Sequence, residues 1–181
     1  MKEFLKQVGD LSIEYMTVTR RPINDNISKM MTLINTIANH KSKENNVDKL
    51  FHLFFVITIN GTHWRVEKNE QLNMTQYEID PRDESIPINN IPFGMTINKM
   101  LTNAINKCGE KRIFKYSAFN QSGGGNCQAF VIDMLDSSNI LISDTSRQFI
   151  VQPIIDLVPH WTQRLSQTIT DLASATKTLI A

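Results

Sequence analysis

Cysteine, glycine and net charge are all in short supply in this chain of 181 residues. Only two cysteines occur, Cys108 and Cys127, without C-x-x-C spacing. That rules against a disulfide framework or a zinc ribbon, leaves a single 108–127 bridge open, and makes a reducing compartment the simpler expectation. Nineteen basic residues against 18 acidic ones leave a net charge of +1, which supplies no basic stripe, so a nucleic-acid partner is not expected. Long hydrophobic runs are missing too. No stretch approaches about 20 uninterrupted apolar residues, and no apolar h-region follows the charged residues 1–10. The expectation is therefore a soluble, intracellular chain with neither signal peptide nor spanning helix. There is no repeat, no low-complexity tract, and no motif for a cofactor or metal. The length suffices for one domain to bury a core unaided.

Of seven glycines, three stand together, in Gly123-Gly124-Gly125-Asn126-Cys127-Gln128-Ala129-Phe130. Phe130, Val131, Met134 and Leu135 continue at helical spacing up to Ser137-Ser138-Asn139, which puts Cys127 in or near the first turn of a helix. A helix N-terminus presents unpaired N–H groups and partial positive charge, which favour a thiolate and can hold an oxyanion. The bland alternative is a small buried residue at a helix start, a common place for a free cysteine. A phosphate-binding loop is excluded, because no Gly-Lys-Ser/Thr follows the glycines.

Elsewhere, Leu11, Ile13 and Tyr15 alternate with polar residues as a short strand running toward Arg20-Arg21 and the break at Pro22. Ile27, Met30, Met31, Ile34 and Ile37 predict an amphipathic helix over 24–38. A polar loop at 40–46 leads to a buried strand over 50–59, a hairpin turn at Asn60-Gly61, and a return strand through Trp64-Arg65-Val66-Glu67. Residues 74–95, with three prolines, read as an extended or looping insertion. A helix follows from Thr96 as N-cap to Cys108-Gly109, then a short strand at Ile113-Phe114-Lys115-Tyr116. Trp161, Leu165, Ile169, Leu172 and Leu179 lie along one side of a C-terminal helix. These elements predict an α+β fold: a small antiparallel sheet with the Cys127 helix packed on it and further N- and C-terminal helices around its edge. Residues 1–158 form one domain with an N-terminal helical extension, and 159–181 an amphipathic helix whose face from Trp161 to Ile180 offers transient membrane or protein contact.

A nucleophilic thiol needs a base, and the base needs an orienting group. His40 lies in the polar loop and His160 follows Pro159 near the tail; His63 sits beside the hairpin turn. His52 heads the hydrophobic strand, where a side chain can be held rigidly. With the turn centred near Gly61, residues 67–69 return toward His52, so Glu67 is the orienting carboxylate and Asn69 its rival. Tyr116, Asn126 and Gln128 are candidates for substrate or oxyanion contact.

A strand beginning with histidine, an Asn-Gly turn, a second strand with a third polar residue, and a much later Asn-Cys-X-X-Phe at a helix start together resemble the circularly permuted papain-like group. This is the NlpC/P60 superfamily branch with lecithin retinol acyltransferase and the H-rev107-type phospholipase/acyltransferases. The similarity covers residues 47–70 and 113–136. It implies a permuted papain-like fold with Cys127 as nucleophile, His52 as general base and Glu67 as third member. Its implied activity is a thiol hydrolase or acyltransferase working on a lipid ester through an acyl-cysteine, with a cysteine peptidase or deconjugating enzyme as the close alternative. The third position in those acyltransferases is usually a second histidine, and their Asn-Cys-Glu-His-Phe reads Asn-Cys-Gln-Ala-Phe here. Segments at 51–54, 66–70 and 167–172 also resemble uncharacterised virus-encoded proteins, which implies host cytoplasm or a virus particle as the location. From a different class, a non-catalytic binding or structural module on the same fold would also carry these residues.

Overall fold

The computed structural model describes residues 2–22, 51–117 and 123–151. The expected helix over 24–38, the loop at 40–46 and the tail helix within 159–181 lie outside the described residues. The described chain runs α1 (Lys2–Val8), β1 (Tyr15–Pro22), β2 (Phe51–Ile59), β3 (Thr62–Lys68), β4 (Leu72–Gln76), β5 (Glu84–Pro87), α2 (Ile97–Cys108), α3 (Glu110–Phe114), α4 (Cys127–Ser137) and α5 (Asp144–Ile150). The strands form one sheet, ordered β4-β3-β2-β1-β5, with every neighbouring pair antiparallel. The fold is α+β, with helices packed on a five-stranded antiparallel sheet.

β2 and β3 are joined by the turn that Asn60-Gly61 dictates. Both residues adopt positive φ, 48° and 70°, the geometry that matches the twist of a two-residue hairpin. The register then runs from Ile59 opposite Thr62 to Phe54 opposite Glu67. Alternation sends Leu53, Phe55, Ile57 and Ile59 to one face of β2, where they join Met16, Val18, Val66 and Met74, all 2% exposed or less. Phe130, Val131 and Met134 of α4 and Met100 and Ala104 of α2 complete this core. Phe130 meets Phe55 edge-on at 6.2 Å between centroids; each such buried ring contributes about 1.5–3 kcal/mol relative to exposure. The opposite face of β2 carries His52 and Phe54, and neighbouring strands add Arg21, Arg65 and Glu67.

Helix α2 starts where Thr96 caps it, its hydroxyl accepting the Lys99 N–H at 3.1 Å, and stops at Gly109, whose φ is 86°.

Three readings need correction. The first strand begins at Tyr15 rather than Leu11 and runs through Arg20-Arg21 into Pro22, because pairing with β2 extends only from Tyr15 opposite Thr58 to Pro22 opposite Phe51. Residues 74–95 are not a structureless insertion: β4 pairs with β3, and β5 pairs with β1. Both are short edge strands, and edges tolerate the polar residues and prolines that obscured them. Residues 113–116 do not form a strand. Ile113 and Phe114 end the single-turn helix α3, and only Tyr116 touches a strand-like partner, in an isolated parallel bridge to Gly125. Helices α1 and α5 went unanticipated; α1 docks through Phe4, edge-on to Trp64 at 5.2 Å. Among the described residues, no helix is long and apolar enough to cross a membrane.

Candidate active site

The glycine run shapes the approach to α4. Gly123 has a φ of +75°, and a Cβ on Gly124 would lie 2.7 Å from the Lys115 carbonyl oxygen, closer than real contacts allow. Glycine therefore lets this turn lie directly against residues 115–117, where the Gly125 N–H donates to Lys115 O at 3.1 Å and the Ser117 N–H to Gly125 O at 3.2 Å. Asn126 then caps the helix. Its backbone is extended and its Oδ1 accepts the Ala129 N–H at 2.9 Å, which fixes Cys127 as the first helical residue.

The Cys127 thiol meets His52 at the head of β2, and the two side chains are hydrogen bonded. The opposite side of the imidazole is held by Glu67, whose Oε2 lies 2.7 Å from Nε2; this leaves Nδ1 as the nitrogen for the sulfur. Glu67 reaches His52 diagonally, because its direct partner across the ladder is Phe54. Its Oε2 also accepts from the Arg65 guanidinium at 2.6 Å, so the carboxylate is fixed from two sides. The β2–β3 ladder opens just beyond Phe54 and Glu67, and the Leu53 N–H donates to the Cys127 sulfur, as does the Gln128 N–H at the start of α4.

The electrostatics follow from these contacts. Burial raises the Cys127 thiol, but the hydrogen bond and charge of His52 and the two backbone N–H donors outweigh it, and the pKa falls below the ordinary thiol value. Burial pushes His52 down, yet its hydrogen bonds to Cys127 and Glu67 and their negative charges bring it up to about 9. Glu67 is raised by burial and lowered further by His52 and Arg65, ending below the usual carboxylate range. All three directions favour a thiolate–imidazolium pair at neutral pH, backed by an ionised carboxylate.

Arg21 stands directly opposite His52 on β1, where a free cation would repel imidazolium. Its charge is instead engaged by Asp83, through Nε to Oδ1 at 2.6 Å and a terminal nitrogen to Oδ2 at 2.8 Å. Tyr77 adds a hydroxyl donor to the same carboxylate at 2.8 Å. Phe54 lies beneath the guanidinium groups of Arg21 and Arg65, 5.5 and 4.1 Å from its ring centroid.

The structure thus brings together Cys127, His52 and Glu67. Tyr116 is near enough for the Cys127 charge to raise its pKa, after burial and ahead of Glu70, which keeps the phenol a hydrogen-bond donor. Gln128 contributes its backbone N–H, and Asn126 is engaged as the helix cap. The rival Asn69 points elsewhere, its Oδ1 accepting from Gln71 and Asn73. His63, at the far end of the hairpin, shares a 2.9 Å hydrogen bond with Thr58. Four contributors escaped the sequence reading: Arg65, the Leu53 N–H, Arg112 and Lys68. Lys68 alone left a signal, since it continues the inward alternation of Trp64 and Val66.

Cys108 closes α2, with its sulfur 3.7 Å from Ser137 Oγ; both cysteines are free thiols. Among the described residues, no group of His, Cys, Asp and Glu is arranged to hold a metal ion. A cleft of about 440 Å³ lined by Ile13, Tyr15, Ile88, Ile91 and Phe93 lies at the opposite end of the sheet, and no member of the Cys127 cluster lines it. Compared with protein-family models, curated proteins and solved structures, the chain matches none.

Proposed function

We propose that the chain is a thiol hydrolase or acyltransferase with Cys127 as nucleophile, His52 as general base and acid, and Glu67 as the group that orients the imidazole. The carrying observation is the continuous hydrogen-bonded line from Cys127 through His52 to Glu67. Its order in the chain, histidine strand first and cysteine helix last, supports a circularly permuted papain-like arrangement of the α+β fold.

In this reading the Cys127 thiolate adds to the carbonyl carbon of an ester, thioester or amide. The resulting oxyanion draws on N–H donors at the start of α4, with the Tyr116 hydroxyl as a further donor. The intermediate collapses by breaking the bond to the leaving group, which takes the proton held on His52, and an acyl-cysteine remains. Water or an acceptor hydroxyl or amine then attacks, giving its proton to the neutral imidazole, and the thiolate departs. Glu67 keeps Nε2 protonated throughout and stabilises the imidazolium.

A lipid ester is the proposed acyl donor, after the resemblance to the lipid acyltransferases; a peptide or isopeptide bond is the second reading. Incubation with phospholipid vesicles and, separately, with peptide and ubiquitin-like conjugates decides between them, with intact-mass detection of an acyl adduct on Cys127. Lipid-derived acyl mass is expected. Adduct formation only with protein substrates would assign the peptidase reading, and no adduct with either, together with slow and equal labelling of Cys108 and Cys127 by iodoacetamide, would leave a non-catalytic module.

A further inference from the structure

Lys68 is adjacent to Glu67 at the end of β3, and neighbouring residues of a strand point to opposite faces. Glu67 addresses His52 on one face, while Lys68 enters the face on which α4 packs. It is fully buried, with no exposed area, a rare position for lysine without a dedicated partner. Its ammonium donates to Arg112 O at 2.7 Å and Lys115 O at 3.0 Å. Lys115 O also accepts the Gly125 N–H at 3.1 Å, so this single carbonyl ties Lys68 to the turn immediately before Asn126-Cys127. The Arg112 side chain adds a bond to Gly124 O at 3.1 Å and one to Asp133 of α4 at 2.7 Å.

We propose that Lys68 is a positioning residue of the thiol site, fixing residues 112–117 and 123–125 against α4 while its buried positive charge favours the thiolate form of Cys127. The proposal rests on the reading of Cys127 as nucleophile. The charged groups that act on Lys68 are Arg112, which repels it, and Asp133 and Cys127, which attract it. Those acting on Cys127 are chiefly His52 and the Leu53 and Gln128 N–H dipoles; the attraction between Cys127 and Lys68 is the smallest of those acting on Lys68, and the Tyr116 phenol also faces the sulfur. Burial and then Arg112 lower Lys68 to about 8, which leaves the ammonium charged at neutral pH. Strand β3 thereby serves both halves of the pair, a carboxylate for the imidazolium and an ammonium for the thiolate.

The test is the pH dependence of Cys127 alkylation by iodoacetamide, followed peptide by peptide so that Cys108 is read separately. In Lys68→Met and Lys68→Gln the thiol titration is expected to move up by about one pH unit, with labelling near pH 6 about tenfold slower and the high-pH plateau kept. A lysine that only supports the fold would lower thermal stability and leave the titration where it was. The unmutated protein supplies a measurement that does not depend on a variant folding. With the lysines carbon-labelled at Cε, capping Cys127 as a neutral methyl disulfide should move the Lys68 titration to lower pH, because the attraction is mutual. An unmoved Lys68 titration, or an unshifted Cys127 titration in a folded variant, overturns the inference. Fast Cys127 labelling in the unmutated protein with no shift in the variants refutes only the role of Lys68; labelling no faster than Cys108 refutes the nucleophile reading itself.

Discussion

The two ends of the β2–β3 hairpin each carry a histidine on the same face of the sheet, in contrasting surroundings. At the turn, His63 is exposed and shares a hydrogen bond with Thr58, and Gly61 has nothing within 4 Å of where a Cβ would stand. At the open end, His52 lies between Glu67 and Cys127, and the glycine at 124 is pressed against a backbone carbonyl. Residue type is shared, but what each residue meets is not. A histidine becomes a base when a buried carboxylate fixes one nitrogen and an acidic group faces the other; a glycine becomes indispensable when backbone occupies the place of its missing side chain.

The strongest way to break this contrast is to exchange the two histidines' importance. His52→Ala should slow iodoacetamide labelling of Cys127 at pH 7 by about 10²- to 10⁴-fold, since burial then acts on the thiol without the imidazolium. His63→Ala should leave the rate unchanged. Similar losses in both variants would mean that the hairpin merely supports the fold.

The two glycines give the next largest difference. Gly124→Ala must displace the turn from Lys115 O and is expected to cost about 1–3 kcal/mol in thermal unfolding, with slower Cys127 labelling. Gly61→Ala meets no atoms and bears only the cost of positive φ, about 1–2 kcal/mol, with thiol reactivity retained. Labelling that falls equally in both would remove the distinction between a crowded and an open turn.

Glu67→Gln is a smaller perturbation. Because Glu67 holds the imidazole up, its loss should bring the His52 titration down from about 9 by roughly one unit, visible in the imidazole proton resonances. The sign for stability is also set. A carboxylate lowered in the folded state stabilises the fold fully above its unfolded value of 4.5, and that contribution disappears as pH falls through the lowered folded value. The melting-temperature gap between the parent and Glu67→Gln should therefore be constant from about pH 4.5 until the pH approaches the His52 value of about 9, closing in acid as Glu67 is protonated and narrowing in base as the imidazolium is lost. A gap that widened in acid would contradict an ionised Glu67. The smallest expected change is in stability for His63→Ala, within about 0.5 kcal/mol, as for an ordinary surface substitution.

Local signals were legible wherever a single residue type settles a backbone choice. Asn60-Gly61 named its own turn, Thr96 named the start of its helix, and counting back from the turn was enough to bring Glu67 toward His52; Asn126, read as a substrate or oxyanion contact, proved to be a helix cap. The edge strands were not legible, since β5 has three exposed residues among four and carries no inward stripe to alternate. Ile113 and Phe114 suggested a strand by propensity, yet the segment is held as a helical turn by contacts from Lys68 and the glycine run, which are tertiary. Lys68 shows the same limit differently: its spacing placed it inward, but only the two carbonyls waiting there explain why a lysine can occupy that place.

The opening of the ladder beyond Phe54 and Glu67 has a consequence for the order of events as the chain folds. The hairpin joins sequence neighbours, whereas bringing α4 to it closes a long loop, and closures of that kind come slowly. Until the Leu53 amide and the imidazole receive the sulfur, Cys127 is an unremarkable thiol. The rate at which Cys127 gains iodoacetamide reactivity during refolding is therefore expected to report the docking of α4 against the hairpin.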